Sequence, residues 1–196
     1  VTLKQVLSMV SEFRRQNEST PVVLMGYLNP IEAMGYGSFA QQAHEVGVDG
    51  AITVDLPPEE AQPFTDALLK EQVDPIFLLA PTSNEARIKK ICAASRGFVY
   101  YVSMKGVTGS AAMNVNDVKA HLALIRRLTN LPVGVGFGIK DAQTAAQIAT
   151  VADAVVVGSA IVKKFAEGKL APGGIAQDVH TLLTHMRQAM DERSAT

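Results

Sequence analysis

Leu131-Pro-Val-Gly-Val-Gly-Phe-Gly-Ile139 begins as a buried strand and ends in glycines. About twenty residues later a second apolar run, Ala154-Val-Val-Val157, ends in Gly158-Ser159 and passes straight into a helical pattern. Two neighbouring strands that both turn into glycine at their C-terminal ends leave backbone N–H groups bare around one spot. A helix start beside them adds its dipole, and such a spot binds an anion. In a parallel α/β barrel this is the usual phosphate site, built by the loops after strands seven and eight. Tight turns alone are the competing explanation of these glycines.

Working outward, the same alternation recurs. Leu3, Val6, Leu7, Val10 and Phe13 fall at helical spacing, which predicts an amphipathic helix over about residues 2–15. Short apolar runs follow at Val22–Met25, Ala51–Val54, Pro75–Leu79 and Phe98–Val102, ahead of the two already quoted. Between them lie helical patterns. One contains Phe39, Ala43 and Val46 and closes at Gly47; one runs from Glu59 to Gln72. Another carries Ile88 and Ile91 behind a capping-box pair, Thr82 and Glu85. Asn116 opens the next, with Val118, Leu122, Ile125 and Leu128 on one face. Helices over about Asp141–Ala149, after Ser159, and over Ile175–Asp191 complete the pattern.

Six short apolar strands, each followed by a helix, predict a parallel sheet covered by helices. The stretch at Leu131 lacks G-x-G-x-x-G spacing after a first strand, so a dinucleotide site is a weak reading. A complete TIM (β/α)8 barrel needs eight strands and about 250 residues. The chain has 196 residues, opens on a helix and does not begin with methionine. The expectation is a single domain over 1–196: the last six βα units of a TIM barrel, without its first two strands.

Composition narrows the partners. Net charge is −1 with no basic run, which argues against nucleic acid and membrane surfaces. No apolar stretch reaches the roughly 18 residues of a membrane span. A single cysteine, Cys92, rules out an intrachain disulfide and fits a cytoplasmic setting.

Chemistry in a parallel barrel sits at the C-terminal ends of the strands. The polar groups there are Tyr27, Asp55, Tyr100, Ser103, Lys105, Thr108 and Ser159. Period-2 alternation pairs Met25 with Tyr27, Ile52 with Val54, and Tyr100 with Val102 on common faces. Pointing inward, these faces would make an apolar pocket with two phenols at its mouth. Asp55 is a candidate general base, but a carboxylate before Pro57-Pro58 more often binds loop backbone. Lys105 lies in a loop, a poor place for a Schiff-base lysine. His44, His121, His180 and His185 all fall in helical stretches and form no metal pattern. The loop Lys105-Gly-Val-Thr-Gly-Ser-Ala-Ala112 suits a lid.

Taken together, Asn29-Pro30 after Tyr27, Asp55-Leu-Pro57, Ser103-x-x-Gly-Val-Thr-Gly109, Gly136-Phe-Gly-Ile139 and Gly158-Ser-Ala-Ile-Val162 resemble the tryptophan synthase alpha chain. The resemblance runs over essentially the whole sequence. It implies retro-aldol cleavage of indole-3-glycerol phosphate to indole and glyceraldehyde 3-phosphate, with no metal or organic cofactor of its own. It implies phosphate binding by Gly109, Phe137, Gly138, Gly158 and Ser159. It implies substrate contact by Tyr27, Met25, Ile52, Val54, Leu78, Tyr100, Val102 and the lid residue Thr108. The implied partner is the beta chain in an alpha2-beta2 heterotetramer, facing the Asn29-Pro30 and Asp55-Leu-Pro57 turns. The family's two acid–base carboxylates, a Glu and an Asp, come from the first strands of the barrel. No catalytic residue is therefore assigned in this sequence, and the expectation is a chain inactive by itself. Met104-Lys105 is a further departure, confined to the lid. Left open are another phosphate-binding barrel enzyme, such as a sugar-phosphate epimerase or a thiamine-phosphate synthase, and a non-catalytic ligand- or partner-binding module.

Overall fold

The computed structural model of the chain describes residues 1–103, 115–136, 138–167 and 174–194. The chain divides into two compact units, Val1–Leu78 with Ala86–Val99, and Leu79–Glu85 with Tyr100–Thr196. In order, the elements are α1 (Leu3–Arg14), β1 (Val23–Gly26), α2 (Leu28–Met34), α3 (Tyr36–Glu45), β2 (Gly50–Thr53), α4 (Gln62–Lys70), β3 (Asp74–Ile76), β4 (Leu78–Leu79) and α5 (Glu85–Ala94). They continue with β5 (Val99–Val102), α6 (Val115–Arg126), β6 (Val133–Gly136), α7 (Ala142–Ala149), β7 (Ala154–Val156), α8 (Ser159–Glu167) and α9 (Gly174–Ser194).

The first unit is built on the sheet β1-β2-β3. Its strands are parallel, with Met25 opposite Ile52 and Ile52 opposite Ile76. Every residue of the central β2 is buried, as a strand covered on both faces must be. Phe39 of α3 and Phe64 of α4 meet with ring centroids 6.0 Å apart, and Tyr36 adds a second contact to Phe64 at 5.3 Å. α3 ends as Gly47 was expected to end it. Gly47 takes φ +86°, its N–H donates to His44 O, and Val48 N–H donates to Ala43 O, which together satisfy the last carbonyls. α4 ends the same way, but the left-handed position is Gln72, at φ +59°.

The second sheet has the order β4-β5-β6-β7, and all of β6 is buried. Val118, Leu122 and Ile125 of α6 and Ala145 and Ile148 of α7 form the core of the second unit. α7 packs along α9, whose Met186 is buried. No helix among the described residues is long and apolar enough to cross a membrane.

The structure differs from the sequence pattern at three places. The run Pro75–Leu79 is two short strands, because its first residues pair with β2 while its last join the second sheet. Asn29-Pro30 lies inside helix α2, not in a turn. Pro30 occupies its first turn, where a missing N–H costs nothing because no helical acceptor exists there. α5 starts at Glu85, so Asn84 precedes it and Thr82 lies outside the cap position.

Candidate functional site

The candidate glycines Gly138 and Gly158 follow the ends of β6 and β7. These strands run parallel with Gly134 opposite Ala154, Val135 opposite Val155 and Gly136 opposite Val156. Gly138 and Gly158 each follow the last paired position by two residues, so the register brings both to the same end of the pair. Gly138 takes φ +78°, a conformation that costs a side-chain-bearing residue about 1–2 kcal/mol and glycine nothing. A Cβ on Gly158 would meet nothing within 4 Å, so packing does not call for glycine there. Ser159 opens α8, and the N–H groups of Ile161 and Val162 both donate to Gly158 O.

Asp141 follows the β6 turn and caps α7. Its carboxylate accepts the Thr144 N–H at 2.8 Å and the Thr144 hydroxyl at 2.6 Å. Those hydrogen bonds hold its carboxyl below the usual carboxylate range. At the other end of the strands, Asp153 accepts the Val133 N–H at 2.9 Å and pairs with Arg126 at 3.1 Å. Burial opposes its ionisation, yet these bonds prevail and its carboxyl is also held low.

β5 sends its two tyrosines to opposite faces. Tyr100 turns toward β6: a Cβ on Gly136 would lie 1.9 Å from Tyr100 Oη. Burial pushes the Tyr100 phenol up. The strand end is tied to β6 by Ser103, whose N–H and hydroxyl both donate to Gly136 O, at 3.1 and 2.7 Å. Tyr101 faces the other way and stacks on His121, centroids 5.8 Å apart. Burial, then the nearby Asp117, pushes its phenol up to about 12. His121 also reaches Asp117 O and Pro81 O at 2.8 and 3.2 Å, so it belongs to the packing; His44, His180 and His185 are exposed on their helices.

In the first unit, Met25 and Tyr27 are 48% and 67% exposed, while Ile52 is buried. These three line a cavity of about 230 Å³ together with Ile31 and Phe39. Val54 and Leu78 are half-buried and line a different cavity of about 310 Å³, with Asp55, Phe77 and Arg87. The structure thus distributes the first unit's apolar candidates over two cavities. Tyr100 and Val102 belong to the second unit, Tyr100 buried and Val102 half-buried. Lys105, Thr108, Gly109 and Phe137 lie outside the described residues.

Asp55 performs the structural task that its Pro-Pro context suggested. Its carboxylate accepts the Leu28 N–H at 2.8 Å, one of the donors that the start of α2 leaves unsatisfied. Among the described residues no group of three His, Cys, Asp or Glu is placed to hold a metal ion. Asp141, Asp153 and the Tyr100–Gly136 contact escaped the sequence reading. Asp141 carried a signal, an Asp immediately before a helical run.

A family model for the tryptophan synthase alpha chain matches residues 1–192. The tryptophan synthase alpha chain of Thioalkalivibrio sulfidiphilus is 59% identical over 191 residues, covering 97% of this chain and 72% of that one. The crystal structure of the alpha subunit from Legionella pneumophila matches with a TM-score of 0.86 at 42% identity, over 96% of this chain and 70% of that one. The tryptophan synthase a2b2 complex of Pyrococcus furiosus contains a chain matching at a TM-score of 0.84 and 34% identity, over 96% and 75%. Parallel strands alternating with helices, in the likeness of these structures, make the fold class α/β, of the TIM (β/α)8 barrel type.

Proposed function

The chain belongs to the tryptophan synthase alpha chain family, and from that premise we propose that it serves tryptophan biosynthesis as a lyase, cleaving indole-3-glycerol phosphate to indole and glyceraldehyde 3-phosphate. In this retro-aldol step the bond between the indole ring carbon and the glycerol chain breaks. A proton goes to the ring carbon and another leaves the glycerol hydroxyl.

The part of this chemistry that the described residues support is anchoring. The backbone N–H groups at Gly138, Gly158 and Ser159 receive the phosphate, with Phe137 and Gly109 in the same role by the family resemblance. The carrying observation is the β6–β7 register, which brings a left-handed glycine and a helix start to one strand end. Glycine at 158, where packing does not require it, fits close approach of a ligand to bare backbone. Met25, Tyr27, Ile52, Val54, Leu78, Tyr100 and Val102 are assigned to the indole, and Thr108 to the lid, by the same resemblance. Tyr100, its phenol pushed up by burial, remains neutral at physiological pH and does not serve as a base. Asp55 and Asp141 are committed to helix starts and take no part in proton transfer.

The partner in this reading is a beta chain, as in the a2b2 complex of Pyrococcus furiosus. The Asp55–Leu28 hydrogen bond fastens the two segments assigned to that face, Asn29-Pro30 and Asp55-Leu-Pro57. A cytoplasmic setting belongs to the same reading. The family match does not favour the epimerase, thiamine-phosphate synthase or non-catalytic alternatives.

Isothermal titration with indolepropanol phosphate, set against inorganic phosphate, tests the assignment. Tighter binding of the indole compound is expected; failure to bind either would overturn it.

A further inference from the structure

The same three-part staple occurs at the N-terminal ends of two strand pairs. In the second unit, Arg126 is the last residue of α6, Val133 begins β6, and Asp153 immediately precedes β7. Asp153 N–H donates to Val133 O at 3.1 Å, Val133 N–H donates to Asp153 Oδ2 at 2.9 Å, and Arg126 donates to Asp153 Oδ1 at 3.1 Å. In the first unit, Arg14 is the last residue of α1, Val22 immediately precedes β1, and Asp49 immediately precedes β2. Asp49 N–H donates to Val22 O at 2.8 Å, Val22 N–H donates to Asp49 Oδ2 at 2.6 Å, and Arg14 donates to the same Oδ2 at 2.6 Å.

Each aspartate joins one residue of the neighbouring strand by two hydrogen bonds, one from its backbone and one to its side chain. A slip of one residue would break both. The staple therefore fixes register, and the arginine holds the carboxylate in place. In the second unit the register has a consequence at the opposite end. Gly138 and Gly158 fall level at the same end of the pair only while Gly136 stays opposite Val156. A slip of one residue would move one arm of the cradle by about 3.3 Å along the strand and turn its side chains to the other face.

We infer that Asp153 is a positioning residue for phosphate binding, holding β7 in the register that brings Gly158 and Ser159 beside Gly138. The inference rests on the phosphate reading above. The first unit supplies an internal control: Asp49 performs the same structural task where no glycine follows β2.

The test compares the full chain with Asp153→Ala, Asp153→Asn and Asp49→Ala, all at a temperature where each is folded. Affinity for indolepropanol phosphate is measured by titration, and the Gly138 and Gly158 amide resonances are recorded without ligand. Asp153→Ala is expected to weaken binding about tenfold or more, a change of about 1.4 kcal/mol. It should also shift both glycine resonances. Asp153→Asn keeps an oxygen for the Val133 N–H and should restore affinity to within about threefold, a loss smaller than that of one neutral hydrogen bond. Asp49→Ala should lower thermal stability but leave both glycine resonances unchanged. Equal shifts of the two glycine resonances in Asp49→Ala and Asp153→Ala would overturn the inference, as would unmoved glycine resonances in Asp153→Ala. Absence of binding in the unaltered chain would instead overturn the phosphate reading, and the resonances would still decide whether Asp153 sets the register.

Discussion

Replacing Gly136 by Ala is expected to destabilise the second unit, against the usual trend for that substitution in a strand. Ala ordinarily gains about 0.5–1 kcal/mol over Gly, because it loses less backbone freedom on folding. Here the added Cβ would lie 1.9 Å from Tyr100 Oη, 2.5 Å from Cζ and 3.0 Å from Cε1. The ring must retreat by about 1 Å, into a core packed to crystalline density. Tyr100 is only 5% exposed, so it cannot swing into solvent. Overpacking of this kind costs about 1–3 kcal/mol, and an off-rotamer tyrosine adds about 0.5–1.5 kcal/mol. The net loss should be about 2 kcal/mol or more, read as a lower urea midpoint at unchanged slope. Tyr100→Leu removes all three clashing atoms. In a double-mutant cycle it should recover at least about 1 kcal/mol of the Gly136→Ala loss. A Gly136→Ala midpoint equal to or above that of the unaltered chain would refute this account, as would strict additivity with Tyr100→Leu.

Asp55→Ala should leave the Leu28 N–H without its acceptor, costing about 0.5–1.5 kcal/mol and speeding hydrogen exchange at Leu28. Gln72→Gly should stabilise the chain by about 0.5–1 kcal/mol, because the left-handed position after α4 then carries no Cβ penalty; a thermal melt reads the gain. Asp141 and Asp153 both titrate lower in the folded chain than in the unfolded one. Their contribution is present above the unfolded carboxylate value of about 4 and is lost as pH falls through their folded values. Stability measured by urea melts should therefore decline below about pH 4, and Asp141→Asn should flatten that decline.

The six βα units could be read from the sequence because each strand falls in an apolar run bounded by turn residues, the run that burial on both faces demands of β2 and β6. Val133–Gly136 and Gly50–Thr53, the central strands, are the plainest cases. What escaped depends on partners far apart in sequence. Leu78 joins a different sheet from Ile76, which no periodicity could signal. Asn29-Pro30 reads as a turn on local preference, yet Asp55 supplies from a distance a cap for the helix that contains it. Of the candidate site, the two glycines after β6 and β7 and the helix start at Ser159 were legible, since glycine punctuates wherever it falls. Asp153 was not. Its role rests on Val133 and Arg126, and nothing local distinguishes it from any other aspartate before a strand. Exposure was equally hidden: alternation puts Met25 and Ile52 on predictable faces, but one is half-exposed and the other buried, according to the strands beside each.

The most direct measurement is a crystal structure of the chain with indolepropanol phosphate. The phosphate oxygens are expected at about 3 Å from the backbone nitrogens of Gly158 and Ser159 and beside Gly138, with the indole ring over apolar side chains. A phosphate bound away from the ends of β6 and β7 would contradict this expectation.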